Sequence, residues 1–154
     1  MKRFIADRML GRLARMLRLL GYDTLYLPEL APAGLEEIAR RDARIILTRG
    51  ETRRRFRGPA TVFSVSSEHP PEQLREVVTK FSLDPASGLW TRCTVCNRSI
   101  VPVAKQEVRD LVKPKVYEVY SEFFRCTGCE RIYWRGSHVE RILKNLSSIL
   151  GQTS

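Results

Sequence analysis

The first 81 residues show two alternating hydrophobic patterns, short apolar runs and apolar positions at helical spacing. Short runs rich in β-branched residues are typical of buried strands, and spacings of three and four residues are typical of amphipathic helices. These patterns predict strands at residues 3–7, 24–27, 44–48 and 61–65, and helices at residues 8–20, 35–41 and 71–81. The Pro-, Ala- and Gly-rich segment 28–34 is predicted as a loop. Strands that alternate with helices predict an α/β fold with a parallel sheet.

The first predicted helix separates its apolar residues from its basic ones. The apolar positions form one stripe, which consists of Met9, Leu13, Met16, Leu17 and Leu20. At about 100° per residue, the other side of the helix presents the arginines Arg8, Arg12, Arg15 and Arg18. We therefore expect a row of arginines on a helix that packs its opposite side against the sheet.

The second half of the chain has a different pattern. Residues 82–91 are rich in turn-forming residues and are predicted as a linker. Beyond them come cysteine pairs, short β-rich segments such as residues 116–119, and an apolar periodicity that predicts a closing helix near residues 137–150. The chain is therefore predicted to form two domains, an α/β domain over residues 1–84 and a small domain over residues 90–154.

Composition agrees with a folded protein. Hydrophobic residues make up 43% of the chain, which is enough to build a core. No apolar run reaches the roughly 20 residues that a membrane-spanning helix needs. Near the N-terminus, Asp7, Arg8 and Arg12 interrupt any apolar stretch of the kind found in signal peptides. We expect a soluble, cytoplasmic protein without a membrane partner.

The net charge of +10 is concentrated in the first part of the chain. The first 60 residues hold 14 of the 27 basic residues and only 7 of the 17 acidic ones, and 13 of those 14 basic residues are arginines. Arginine pairs with phosphates through two parallel hydrogen bonds and stacks on bases, which favours a nucleic-acid partner. The alternative is a solvated basic surface without a specific partner.

All four cysteines lie in two Cys-x-x-Cys pairs, Cys93 with Cys96 and Cys126 with Cys129. Such a pair directs two thiolates at one point, and two pairs complete the tetrahedral set that Zn²⁺ prefers. We therefore predict one structural Zn²⁺ held in a zinc ribbon. Disulfides are disfavoured because the chain carries no secretion signal, and a thioredoxin-like site needs one pair only. A four-thiolate iron site has the same spacing.

Acidic residues follow two of the predicted strands, at the edge of a parallel sheet where ligands gather. Asp7 ends the first strand, and Glu51 follows the third. A carboxylate at this position could hold Mg²⁺ or Mn²⁺ for phosphodiester hydrolysis, and it could equally cap the following helix. Glu36 and Glu37 point to different faces of the second helix, which leaves at most one of them for the same site. No nucleophile triad, Walker loop or dinucleotide motif is present.

Three segments together resemble a known family: residues 4–23, residues 44–49, and a cysteine region that combines residues 92–97, 126–129 and 133–138. They are similar to the Mut-seven C-terminal RNase domain family, in which a PIN-like fold is fused to a zinc ribbon. The resemblance covers nearly the whole chain. It implies a PIN-like three-layer α/β domain with a parallel sheet, and a metal-dependent ribonuclease site that gathers three or four acids.

The resemblance also assigns individual residues. Asp7 matches the first acid of the family, and Asp23 matches the acid that follows a Gly-Tyr pair. This chain departs from the family at Gly50 and in the loop at residues 31–34, where acids are usual. Glu51, Glu36 or Glu37 could replace them. The predicted catalytic residues are Asp7, Asp23, Glu37 and Glu51. The predicted RNA-binding residues are Arg8, Arg12, Arg15, Arg49, Arg53, Arg54 and Arg55.

Three functions remain in competition. The first is a metal-dependent ribonuclease with a weakened acidic site, using Mg²⁺ or Mn²⁺. The second is a non-catalytic module that binds RNA or the ribosome, which the missing acid at Gly50 and the run Arg53–Arg55 favour. The third is a protein-interaction module that docks through its ribbon.

Overall fold

The computed structural model describes residues 1–151, apart from the side chains of residues 138, 142 and 149. Its contacts divide the chain into two units, Met1–Asn97 and Arg98–Ser154. The division falls later than the predicted boundary between residues 84 and 90, and it assigns the first cysteine pair to the first unit. Residues 152–154 of the predicted second domain lie outside the described residues.

The first unit is built on a parallel sheet of four strands. They are β1 (Phe4–Ala6), β2 (Thr24–Tyr26), β3 (Ile45–Arg49) and β4 (Val62–Val65), and they lie in the order β2-β1-β3-β4. Ile5 of β1 pairs with Leu25 on one side and with Ile46 on the other. Every residue of β1 is fully buried, as its apolar run predicts. The predicted α/β fold is confirmed.

Two α-helices and two 3₁₀ helices connect these strands, and a third α-helix follows the last of them. The elements are a 3₁₀ helix at Arg8–Leu10, α1 (Gly11–Leu19), α2 (Pro32–Asp42), a 3₁₀ helix at Gly50–Arg55 and α3 (Pro70–Phe81). The loop predicted at residues 28–34 is wrong in its second half, because α2 already begins at Pro32. Proline suits the first turn of a helix, where its missing N–H has no helical partner.

The two faces of the sheet pack against different helices. Ile5 and Ile46 share one face and pack with Leu35 and Ala39 of α2. On the opposite face, the ring of Phe81 from α3 lies edge-on to Phe4, with the ring centroids 5.6 Å apart. This alternation follows from the period of two along a strand. It leaves the carboxyl edge of the sheet uncovered by these contacts.

The second unit contains an antiparallel sheet of three strands. They are β5 (Ile100–Val103), β6 (Phe123–Cys126) and β7 (Ile132–Tyr133), in that order across the sheet. A 3₁₀ helix spans Lys105–Val108, α4 spans Pro114–Val119, and the chain closes with α5 (Ser137–Gly151), which confirms the predicted closing helix. Within residues 1–151, no helix combines the length and the apolar character that crossing a membrane requires.

The β-rich segment predicted at residues 116–119 is wrong, because these residues form the end of α4. Pro114 stands in the first turn of this helix and presets its backbone there. The amides of Tyr117 and Tyr120 then donate to the carbonyls of Lys113 and Val116, which are four residues earlier in each case. Local helix initiation therefore overrides the strand preference of the two valines.

Candidate functional site

Asp7 lies at the carboxyl end of β1, and its side chain is only 7% exposed. One carboxylate oxygen accepts a hydrogen bond of 2.7 Å from the amide of Arg8, which caps the 3₁₀ helix that follows. The other oxygen accepts a hydrogen bond of 2.8 Å from the hydroxyl of Thr48 on β3. Because each carboxylate oxygen has two lone pairs, Asp7 keeps acceptor capacity for a cation. It is thus both a helix cap and a fixed acid at the edge of the sheet.

An open pocket of about 410 Å³ lies at the same edge of the sheet. Its lining comes from the ends of β3 and β4 and from the first 3₁₀ helix, and consists of Met9, Arg49, Gly50, Ser64, Val65 and Ser66. Gly50 adopts a φ of +62°, and a side chain built there would meet no atom within 4 Å. Residue 50, where the resemblance leads us to expect an acid, is thus a glycine that faces open space at the pocket.

Asp23 lies at the opposite edge of the sheet from Asp7. It precedes β2, and its carbonyl accepts from the amide of Phe4, at the start of β1. Its carboxylate accepts two hydrogen bonds from the guanidinium of Arg44, of 2.8 and 3.2 Å. Burial works to raise the pKa of Asp23, but the hydrogen bonds from Arg44 and Asn97 outweigh it and lower that pKa below its ordinary value. The structure therefore does not bring Asp23 together with Asp7.

The predicted glutamates do not converge either. The exposed Glu51 pairs with Arg54 at 3.0 Å within the second 3₁₀ helix. Glu37 is exposed on α2, whereas Glu36 accepts a hydrogen bond of 2.8 Å from the amide of Gly58. Among the residues that the structure describes, no three carboxylates form a metal-sized group. Asp7 is thus a buried acid at this edge, whereas Glu37 and Glu51 are exposed and Glu36 is half-buried.

Most of the predicted RNA-binding arginines are exposed, in keeping with a basic surface. Arg8, Arg12, Arg15, Arg53, Arg54 and Arg55 all belong to this exposed set. Arg49 is half-buried and pairs with Glu68 at 2.8 Å. The placement of Arg18 with the outward row is wrong, because Arg18 is 6% exposed. It follows the buried Ala14 by four residues, and residues at this spacing share one face of a helix.

The four cysteines come together as their spacing predicts. The sulfur atoms of Cys93, Cys96, Cys126 and Cys129 all lie within 4.8 Å of one another. A regular tetrahedron of thiolates around Zn²⁺ has sulfur atoms about 3.8 Å apart, which this group approaches. The donor set and its spacing therefore fit a metal ion such as zinc.

Local backbone geometry supports each thiolate pair. The amide of Cys96 donates to the sulfur of Cys93 at 3.4 Å, and the amide of Cys129 donates to the sulfur of Cys126 at the same distance. Asn97 and Glu130, each directly after a second cysteine, adopt positive φ values of 72° and 63°. These amides and left-handed residues give the two turns equivalent geometry.

The sequence pattern did not reveal that charged residues of the first unit contact the first cysteine turn. The guanidinium of Arg18 donates to the carbonyls of Thr94 and Val95, both at 3.0 Å. The side chain of Asn97 donates to Asp23 at 2.6 Å. Burial lowers the pKa of Arg18, and the charges of the nearby cysteines partly oppose this effect. Such contacts span more than 70 residues of sequence, where neither periodicity nor spacing gives a signal.

Comparison with known families decides the identity of the chain. Residues 2–146 match the family model described as the Mut7-C RNAse domain. The chain belongs to this family. No curated protein and no solved structure matches it. The Mut7-C RNAse match includes Asp7, the pocket beside Gly50 and all four cysteines. Membership in an RNase domain family implies RNA as the substrate class.

Proposed function

We propose that this Mut7-C domain is a metal-dependent ribonuclease that hydrolyses RNA at the carboxyl edge of its parallel sheet. The observation that carries the proposal is the position of Asp7, a buried carboxylate held by Thr48 at the edge where an open pocket lies. Family membership supplies the reaction class. Asp7 is the residue that we assign as the central metal ligand.

The proposed catalytic metal is Mg²⁺ or Mn²⁺. Either ion, when bound, would activate water and neutralise the charge that develops on the phosphate. Mg²⁺ commonly binds through one or two carboxylates together with substrate phosphates, and it keeps several waters. One buried aspartate is thus sufficient for a weak site that is completed by the RNA itself. The exposed Glu51 is the closest acid in sequence to the vacant acid position at Gly50, and we propose it as an auxiliary ligand.

The exposed arginines are proposed to hold the RNA backbone. Arg53, Arg54 and Arg55 lie on the second 3₁₀ helix, which begins at Gly50, directly after β3. Arg8 adjoins Asp7, and Arg12 and Arg15 continue along α1. Phosphate contacts of this kind release counterions, which makes RNA affinity fall steeply as the salt concentration rises.

We propose that the protein acts in the cytoplasm.

We also propose that the four cysteines bind one Zn²⁺ ion with a structural role. Four protein thiolates leave no open coordination position for substrate or water, unlike the three-ligand sites of catalytic zinc. Bound zinc would then contribute to folding rather than to cleavage. The two metals would have separate roles, because the metal-binding group formed by the cysteines contains no carboxylate.

One specific observation favours a second candidate function, a module that binds RNA or the ribosome without cleaving it. Gly50 offers no carboxylate, and no third acid joins Asp7 among the described residues. The arginine surface would still bind phosphates in the absence of cleavage. This candidate predicts salt-dependent RNA binding and intact RNA after incubation with Mn²⁺.

The test is to incubate single-stranded RNA with the zinc-loaded protein in Mn²⁺ or Mg²⁺, and to analyse the products on a denaturing gel. The wild type should cleave the RNA, and the Asp7→Asn variant should lose at least about 100-fold in rate while it binds RNA with unchanged affinity. Asp42→Asn is a matched control, because Asp42 pairs with the exposed Arg41. Intact RNA with the wild type, together with salt-dependent binding, would replace the nuclease proposal with the second candidate.

A further inference from the structure

We propose that Arg18, Asp23 and Asn97 are positioning residues that hold the first cysteine turn, residues 93–97, in its metal-binding conformation. All these residues belong to the unit Met1–Asn97. The α/β unit would then preassemble two of the four thiolates before a metal ion arrives. The inference rests on the proposed zinc site and does not depend on whether the protein cleaves RNA.

Arg18 contributes the contacts to the centre of the turn. One terminal nitrogen of its guanidinium donates to the carbonyls of Thr94 and Val95, the two residues between Cys93 and Cys96. Its Nε donates to the carbonyl of Thr24 at 2.8 Å, which ties the same side chain to the start of β2. A planar guanidinium with donors in a fixed fork defines the direction of both carbonyls. The turn is thereby attached to the sheet at a buried point.

Asn97 contributes the contacts to the end of the turn. Its side-chain oxygen accepts from the amide of Thr24 at 3.0 Å, and its side-chain nitrogen donates to the carboxylate of Asp23 at 2.6 Å. The side chain of Asn97 therefore bridges two consecutive residues at the start of β2. Its own amide donates to the carbonyl of Cys93 at 3.0 Å and closes the turn. Asparagine is among the few residues that accept a φ of 72° readily.

Asp23 holds the side chain of Asn97 in place by accepting its hydrogen bond. Asp23 is itself held by two hydrogen bonds from Arg44. Arg92 adds a further bond of 2.7 Å to the carbonyl of Asn97. The chain of contacts therefore runs from Arg44 through Asp23 to Asn97, directly beside Cys96. This network gives Asp23 a role in positioning the first cysteine turn.

Two physical effects follow for a bound metal. A turn that is already ordered loses less conformational entropy when the metal binds, which increases affinity. The buried positive charge of Arg18 beside the turn also compensates part of the negative charge of a four-thiolate site. Residues that orient metal ligands without touching the metal typically contribute about 10–100-fold to affinity. By linkage, bound metal should stabilise the unit that holds the turn.

The test is a titration of the reduced, metal-free protein with Co²⁺, followed by displacement with Zn²⁺. The sulfur-to-cobalt charge-transfer band reports thiolate coordination, and displacement gives the affinity for zinc. Asn97→Gly is the sharpest variant, because glycine accepts the positive φ while both side-chain hydrogen bonds are lost. We expect zinc affinity about 10–100-fold below that of the wild type, with the band at an unchanged wavelength because the four ligands remain. Asp110→Asn, at an exposed position outside this network, is the control and should bind zinc within about twofold of the wild type.

A second variant keeps the proposal testable if Asn97→Gly does not fold, as judged by circular dichroism of the zinc-loaded protein. Asp23→Asn retains the size of the side chain but loses the charge that holds Arg44, and it should also weaken zinc binding. If the folded variants bind Co²⁺ and Zn²⁺ as tightly as the wild type, and only unfold at a lower temperature, these residues stabilise the fold alone and the proposal is wrong.

Discussion

The hydroxyl of Thr48, on β3, donates a hydrogen bond of 2.8 Å to the carboxylate of Asp7, at the end of β1. Thr48 is fully buried, and its strand pairs directly with β1. The bond fixes one oxygen of Asp7 while the amide of Arg8 fixes the other. Two neighbouring strands thus define the orientation of the carboxylate on which the proposed cleavage depends.

We predict that Thr48→Val reduces Mn²⁺-dependent cleavage about tenfold, because Asp7 loses one of the two contacts that orient it. Valine has nearly the shape of threonine, and the free energy of unfolding should fall by only about 1 kcal/mol. The measurement compares cleavage rates and urea unfolding for the wild type and the variant. Thr61→Val, at an exposed position, serves as the control. An unchanged rate in Thr48→Val would show that this bond does not serve the reaction.

The ion pair between Asp23 and Arg44 predicts a specific dependence of stability on pH. The pKa of Asp23 is lower in the folded protein than its ordinary value of 3.8. The stabilisation is therefore complete above about pH 4 and disappears as the pH falls through the folded pKa. Asp23→Asn should lower the free energy of unfolding by about 1–2 kcal/mol at pH 7, and this difference from the wild type should shrink towards pH 3.

Urea unfolding of both proteins at each pH measures this difference. Loss of thiolate-bound metal in acid is common to both proteins and therefore cancels in the comparison. Asp110→Asn should change stability little at any pH, since Asp110 is exposed to solvent. A difference between the wild type and Asp23→Asn that stays constant from pH 7 to pH 3 would contradict the assigned charge interaction.

Gly50 provides a gain-of-function prediction. A side chain at this position would enter open space, and Asp and Asn both tolerate a φ of +62° better than most residues. Gly50→Asp should add a carboxylate at the edge of the sheet and increase Mn²⁺-dependent cleavage by about tenfold, with saturation at lower Mn²⁺. Gly50→Asn has the same shape without the charge and should cleave like the wild type. Equal rates in both variants would mean that an acid at residue 50 does not reach the metal.

The cysteine group predicts one tightly bound zinc ion per chain. Elemental analysis of the purified protein should find one equivalent, and removal of zinc by a chelator should lower the melting temperature because binding energy contributes to folding. Cys126→Ser removes a buried ligand and should lose most of the bound zinc. A Cys126→Ser protein with full zinc content and unchanged melting temperature would contradict the assignment.

The fold of the first unit could largely be predicted from the periodicity of its hydrophobic residues, because its strands are continuously apolar and its helices are amphipathic. The start of α2 could not, since proline is common both in loops and in the first turn of a helix. In the second unit, Val116 and Val119 indicated a strand, and Pro114 instead set a helix. In short elements with few apolar positions, the hydrophobic periodicity is too weak to distinguish a strand from a helix.

The metal site was more predictable than the acidic site. The spacing Cys-x-x-Cys lets one tight turn bring its two thiolates together, whereas acids converge only if strand order brings them to one edge. Asp23 precedes its strand and Asp7 follows its own, and in a parallel pair these positions lie at opposite ends. The burial of Arg18 could not be predicted, because its partners, the carbonyls of Thr94 and Val95, are far away in sequence.

We propose that Asp7 binds the metal used in RNA cleavage. The most direct measurement is the initial rate of cleavage of single-stranded RNA as a function of Mn²⁺ concentration, at saturating RNA, for the wild type and Asp7→Asn. We expect a saturating curve for the wild type and no Mn²⁺-dependent rate for the variant, with equal zinc content and equal melting behaviour confirming its fold. Superimposable curves for the two proteins would contradict the assignment of Asp7.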